Sequence, residues 1–189
     1  MRAAEVTGSP RLASAEAKAS RHSSRWNRVF DAIALCAIGF ALWKIFIAPR
    51  SLSAPGAHPA PHAVYERLDG AAFRLASERG RVVFLDFYAS WCEPCKIELP
   101  LVERWARKNP GALVVPVDVG EPRTVAADFA RRYGLRGIVL DSKSSAPALF
   151  GVQGFPTIVV IDREGDVRAK WEGLNPAIGL AMTNAKNHL

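Results

Sequence analysis

Val82-Val83-Phe84-Leu85-Asp86-Phe87-Tyr88 runs through Ala89-Ser90 into Trp91-Cys92-Glu93-Pro94-Cys95, and this junction governs how the rest of the chain is read. The run is rich in β-branched and aromatic side chains and apolar apart from one acid, which predicts a buried strand over Val82–Tyr88. Two cysteines three positions apart cannot meet along an extended strand. On the first turn of a helix they come within disulfide reach. A helix opening at Cys92 sets that sulfur among unpaired N–H groups at the positive end of the macrodipole, which favours a thiolate. A CxxC that follows a strand and opens a helix has the chemistry of a thiol–disulfide redox centre.

Outward from the junction, strands and helices alternate. Val64–Leu68 and Ala71–Leu75 flank Asp69-Gly70, a hairpin turn signal. Cys92–Lys108 has helical periodicity with Ile97, Leu101 and Trp105 as its apolar positions, and Pro100 can bend it. Asn109-Pro110-Gly111 stops it. Leu113–Val119 predicts a second strand and Glu121–Tyr133 a helix with Val125, Phe129 and Tyr133 at fourfold spacing, closed by Gly134. Ile138–Leu140 predicts a short extra strand, and Ala146–Phe150 a brief helix. Thr157–Ile161 and Val167–Trp171 form a hairpin about Arg163-Glu164-Gly165. Asn175–His188 predicts a last helix, with Asn175 as cap and Pro176 at its first position. This order implies an α/β fold with a mixed sheet.

At 189 residues the chain holds one medium domain plus appendages. A hydrophobic fraction of 49% excludes wholesale disorder. The net charge of +7 raises the question of nucleic acid. Yet residues 1–28 carry Arg2, Arg11, Lys18, Arg21, Arg25 and Arg28 against only Glu5 and Glu16, so most of the excess is a tail. No basic stripe interleaved with aromatics occurs, which argues against nucleic-acid binding. Three cysteines are too few for a disulfide framework or a four-cysteine zinc site. His58 and His62 lie four apart in a Pro-broken stretch that cannot present one helix face, so they are solvated linker residues and no metal is expected.

Residues 29–48 are apolar except Asp31 and Lys44. As a helix rising ~1.5 Å per residue they span ~30 Å, the thickness of a bilayer core. Lys44 can snorkel, and Trp26 and Trp43 suit the two interfaces. A cleaved signal peptide is the rival, with Ser51-Leu52-Ser53-Ala54 as a partial cleavage match that Pro55 suits poorly. The basic bias before the span orients the N-terminus toward the cytoplasm. Four segments result: a basic, disordered cytoplasmic tail (1–28), a transmembrane signal anchor (29–48), a Pro-rich linker (49–62) and a folded extracytoplasmic domain (63–189). The linker reaches at most ~40 Å as a semi-rigid tether. Cys36, within the span, is a small apolar residue in lipid rather than a third redox thiol.

With these pieces in place the chain resembles the thioredoxin-like superfamily, and within it the membrane-tethered TlpA/ResA group. The matching residues are Phe87-Tyr88-Ala89-Ser90-Trp91-Cys92-Glu93-Pro94-Cys95, Glu98-Leu99-Pro100, Phe150-Gly151-Val152-Gln153-Gly154-Phe155-Pro156-Thr157 and Ile161-Asp162-Arg163-Glu164-Gly165. They cover nearly all of residues 64–175 in the family's order. The resemblance implies a thioredoxin fold: a mixed central sheet flanked by helices, an N-terminal hairpin, and an extra strand–helix insertion over residues 119–141. It implies that Cys92 is the exposed attacking thiolate and Cys95 the buried resolving thiol, exchanging through a mixed disulfide. It implies a cis-proline at Pro156, which with Phe155 and Trp91 receives an extended partner segment. A cis bond costs ~0.5–1 kcal/mol before proline and ~2.5–4 before other residues, so proline alone makes that turn cheap.

Asp86 matches the buried acid that some thioredoxins keep beneath the resolving cysteine, where many TlpA/ResA members carry a neutral residue. Desolvation raises the pKa of such an acid and fits it to accept a proton from Cys95. Glu98, on the helix after the motif, is expected to be a surface acid, Trp91 a shield over the sulfurs, and Trp171 core. Thr157 stands where cytochrome-maturation members often carry Glu. The expected partners are disulfide-containing clients, apocytochromes c or copper-site assembly factors by family analogy. A membrane thiol-electron donor of the DsbD/CcdA type would re-reduce the pair, and no cofactor is needed. A helix terminus lowers a thiol pKa of ~8.5 by about one unit, and Glu93 opposes more, so the pair is expected to be reducing. The rivals are a disulfide-forming oxidase, a metallochaperone using the CxxC, and a non-catalytic docking domain.

Overall fold

The structure, a computed structural model, describes residues 30–39, 51–52 and 57–189. Residues 1–48 and 49–189 are separate units. In the first, residues 30–39 form helix α1, with Ile33, Leu35 and Ile38 exposed. Among the described residues no helix is long and apolar enough to cross a membrane. The rest of the expected span, the basic tail and residues 49–50 and 53–56 of the linker lie outside the described residues.

The second unit is a mixed sheet covered on both faces, the thioredoxin-like α/β fold the resemblance implies. Its strands are β1 (Ser51–Leu52), β2 (His58–Pro59), β3 (Val64–Arg67), β4 (Ala72–Arg74), β5 (Val82–Tyr88), β6 (Ala112–Val119), β7 (Val139–Asp141), β8 (Thr157–Ile161) and β9 (Asp166–Glu172). The spatial order is β1-β9-β8-β5-β6-β7-β3-β4, with β2 also on β9. β5, β6 and β7 run parallel, while β8 and β9 return antiparallel on one side and β3 and β4 on the other. The helices are α2 (Glu93–Lys108), α3 (Arg123–Tyr133), α4 (Ala146–Phe150) and α5 (Ile178–His188). Parallel neighbours need crossovers, and α2 and α3 supply them. α3 and β7 are the expected insertion. Gly134, at φ 64, ends α3 in the left-handed conformation that glycine adopts without penalty.

β5 is buried along its whole length, and its side chains alternate between two cores. Val83, Leu85 and Phe87 join Tyr65, Phe73, Val115 and Val117 on one face. Val82 and Phe84 join Val102, Trp105, Ile178 and Met182 on the other, and Tyr88 joins Cys95, Leu99 and Phe129 there. Asp86 therefore points to the face that α2 covers. The Phe84 and Trp105 rings meet edge-on with centroids 5.3 Å apart, fixing α2 over the centre of β5.

Several expectations need correction. The buried face of α2 is Cys95, Glu98, Leu99, Val102, Glu103 and Trp105, not a stripe through Ile97 and Leu101. Ile97 is 59% exposed and Leu101 half-buried. On α3, Ala126, Phe129 and Ala130 face inward while Val125 is exposed. α5 begins at Ile178 rather than at Pro176; the Asn175 side chain instead accepts the Ala177 N–H at 2.9 Å, an Asx turn ahead of the helix. Trp171 is only partly buried, against Phe84. Two short pieces of the segment expected to be a linker, Ser51–Leu52 and His58–Pro59, add strands to the free edge of β9. Proline is tolerated there because an edge strand need not donate on both sides.

Candidate active site

The end of β5 passes through Ala89 and Ser90 into Trp91-Cys92, and Cys92 is the N-cap of α2. Its sulfur accepts the Cys95 N–H at 3.2 Å, the bond a serine or aspartate oxygen makes at that position. Pro94 sits in the first turn, where its missing N–H leaves nothing unsatisfied. Cys92 and Cys95 are joined in a disulfide with Cα atoms 5.3 Å apart. Cys95 is fully buried, and Cys92, expected to be exposed, is also buried at 5% exposure in the disulfide form. Glu93 is exposed and ion-paired with Lys96.

The residues expected to receive a partner segment come together. The Phe155–Pro156 peptide is cis, as the family pattern requires. Trp91 is 69% exposed and meets Phe155 edge-on at 5.9 Å. Thr157 is turned inward, its hydroxyl donating to the Gly154 carbonyl at 2.7 Å.

The acids carry the most information. Glu103, Asp141 and Asp162 are buried and well satisfied. Glu103 meets Arg136 at 2.8 Å and Arg107 at 3.2 Å. Asp141 accepts the Ser145 hydroxyl and the N–H groups of Ser145 and Ala146. Asp162 accepts the Asp166 N–H and meets Arg168. Asp86 is buried completely, and neither carboxyl oxygen has a hydrogen-bond partner. An ionised carboxylate cannot stay there unpaired, so the group holds its proton. Burial, then the facing Glu98 charge, raise its pKa well above the usual carboxylate range.

Glu98 is the residue that the sequence misplaces. It is 2% exposed, not a surface acid. It lies three residues after Cys95, on the same inward face of α2. Its carboxylate accepts the Asn175 N–H at 2.8 Å, which joins α2 to the loop before α5. Burial pushes it up to about 7, against the lowering effect of that bond. The spacing Cys95-x-x-Glu98 was the available signal, since positions i and i+3 share a helix face.

A second missed group lies beyond Tyr88. Asp118, at the end of β6, is in register with Tyr88. It is buried, and its polar neighbours are the Tyr88 hydroxyl and Glu121. Burial and the nearby Glu121 charge push Asp118 up to about 7. Glu121 in turn accepts the Ser90 N–H and the Ser90 hydroxyl, each at 2.6 Å. Asp118 interrupts Val117 and Val119 just as Asp86 interrupts Leu85 and Phe87, so the same sequence signal marked both.

Two sulfurs at a helix N-cap, a cis-proline beside them and orphaned acids on the covered face make a centre for thiol–disulfide exchange on a thioredoxin fold. Residues 57–170 match the AhpC/TSA family, and the chain belongs to it. It is 34% identical over 139 residues to thiol-disulfide oxidoreductase ResA of Geobacillus kaustophilus, covering 72% of this chain and 79% of that protein. It is 32% identical over 138 residues to ResA of Bacillus subtilis, covering 71% and 76%. The candidate thiol:disulfide interchange protein DsbE of Chlorobium tepidum superposes with a TM-score of 0.65 at 32% identity, covering 70% of this chain and 96% of that one. Thiol–disulfide oxidoreductase activity follows for this protein from fold, disulfide and relatives together.

Proposed function

We propose that the protein is a membrane-anchored reductant of disulfides in extracytoplasmic client proteins. The observation that carries the direction of the reaction is the character of the groups around the sulfurs. A strong disulfide donor stabilises its reduced thiolate. Here the helix terminus helps Cys92 only modestly, while the Glu121 carboxylate, bonded to Ser90 two residues before it, works the other way. Such surroundings disfavour a thiolate and leave the dithiol ready to give up its electrons.

In the reaction, the Cys92 thiolate attacks one sulfur of a client disulfide and forms a mixed disulfide, releasing the other client sulfur as a thiolate. Trp91, Phe155 and Pro156 hold the client segment extended beside Cys92. Cys95 then gives its proton to Asp86 in the small fraction of molecules in which that acid has ionised, where its raised pKa makes it a strong base, and attacks Cys92, freeing the second client thiolate. The protein is left as the Cys92–Cys95 disulfide, and a membrane dithiol donor restores it by the same two steps in reverse. Electrons pass from that donor to the client, and no cofactor takes part.

The anchoring rests on the apolar run at residues 29–48, part of which is α1 with Ile33, Leu35 and Ile38 exposed. An exposed apolar helix of this kind calls for an apolar environment. Apocytochromes c and metal-site assembly factors are the client classes we favour, by analogy with the TlpA/ResA group that the sequence resembles.

Trapping tests the proposal. The Cys95→Ser protein, produced in cells, should accumulate mixed disulfides on Cys92 that mass spectrometry identifies in the membrane fraction, and Cys92→Ser should accumulate none. Absence of trapped clients from Cys95→Ser cells would sink client reduction.

A further inference from the structure

Ser90 immediately precedes the Trp91-Cys92 pair and is held by a carboxylate from another loop. Glu121, 31 residues away, accepts both of its donors at 2.6 Å. Two donors on one carboxylate fix a turn in orientation as well as position. Asp118 stands beside Glu121, buried, with the Tyr88 hydroxyl as its other polar neighbour. Tyr88 is the titratable group that faces it from β5, and Asp86 acts on Tyr88 in turn, while α2 and α3 present apolar Leu99, Ala126 and Phe129. Arg123, the cation adjacent in sequence, is committed to Glu66 and to the carbonyls of Arg67 and Leu68. Among the described residues neither Asp118 nor Glu121 has an ion-pair partner.

We infer that Glu121 is a positioning residue for thiol–disulfide exchange: it fixes the Ser90 turn, and with it Trp91 and Cys92, by a grip that weakens when Asp118 loses its proton. While Asp118 is neutral, Glu121 is the single charge of the pair and both Ser90 bonds are charge-assisted. Burial holds Asp118 neutral up to about pH 7. Once it ionises, two carboxylates confront each other without a cation. Glu121, which is only half-buried, relieves the repulsion by turning toward solvent and releasing Ser90. The loop that carries Cys92 is then less well placed at alkaline pH, where its thiol is most ionised.

The test uses the full chain, reduced, between pH 5 and 9. Alkylation of Cys92 by iodoacetamide is followed by mass spectrometry, and insulin reduction is measured in parallel. Asp118→Asn should remove an inflection near neutral pH that persists in Glu98→Gln, the other carboxyl titrating there. Glu121→Ala should slow insulin reduction about tenfold, within the ~100-fold that a 1 Å misplacement can cost. Ser90→Ala, which leaves every charge in place, should slow it about threefold, and Ser90→Thr, which keeps both donors, should restore the wild-type rate. If Glu121→Ala fails to fold by circular dichroism, the two Ser90 variants carry the test. Wild-type rates in Ser90→Ala, or an Asp118→Asn protein that keeps the inflection, would overturn the inference.

Discussion

Asp86 and Glu98 illustrate how a single buried carboxyl links the fold to its chemistry. Each has been carried out of water without a cation, and burial raises the pKa of each. In the proposed reaction Asp86, once ionised, takes the Cys95 proton, so removing it should slow resolution rather than attack. Asp86→Asn is expected to lower the rate at which Cys95 clears a preformed mixed disulfide by about 100-fold, the usual scale of general base catalysis. Alkylation of Cys92 should change far less. Stopped-flow release of a chromophoric thiol from Cys92 measures the first quantity, and equal rates in both proteins would refute the role. Asp86 was legible in the sequence because one acid stood between apolar neighbours on a strand. Glu98 was not, because glutamate on a helix is ordinarily a surface residue, and its burial depends on the Asn175 N–H arriving from a distant loop.

The helix α2 shows the same lesson over several turns. Its start was legible from Cys92 and Pro94, and its end from Asn109-Pro110. Its inward face was not, because Ile97 mimics a core position while the true face includes two glutamates. The two readings make opposite demands on stability. Ile97→Asp should change unfolding free energy by no more than about 0.5 kcal/mol, as at other exposed sites. Leu99→Ala should cost about 2–5 kcal/mol, as for a fully buried leucine. Urea denaturation of both variants decides between the faces. The strands β5, β6 and β8 were legible because each is a buried β-branched run bounded by turn residues. The pieces β1 and β2 escaped because proline and histidine give no strand signal, and only the open edge of β9 made them strands.

Across the molecule, three buried acids with raised pKa values make stability depend on pH. For an acid raised in the folded state, the neutral form favours folding. That contribution is complete below the ordinary carboxylate pKa of ~4 and is lost as pH rises through the folded value. Glu98, moved from 4.5 to about 7, accounts for roughly 3 kcal/mol by itself. The oxidised protein should therefore be several kcal/mol less stable at pH 8 than at pH 5, and Glu98→Gln should flatten the curve. Equal stability at both values would contradict the burial of these groups.

One titration tests the proposed direction of electron flow most directly. The full chain is equilibrated with glutathione buffers of graded ratio, and the Cys92–Cys95 disulfide and dithiol are quantified by alkylation and mass. We predict a midpoint potential of about −250 mV or below, in the range of reducing thioredoxin-type pairs. A midpoint near −120 mV, where strong disulfide donors lie, would contradict the account.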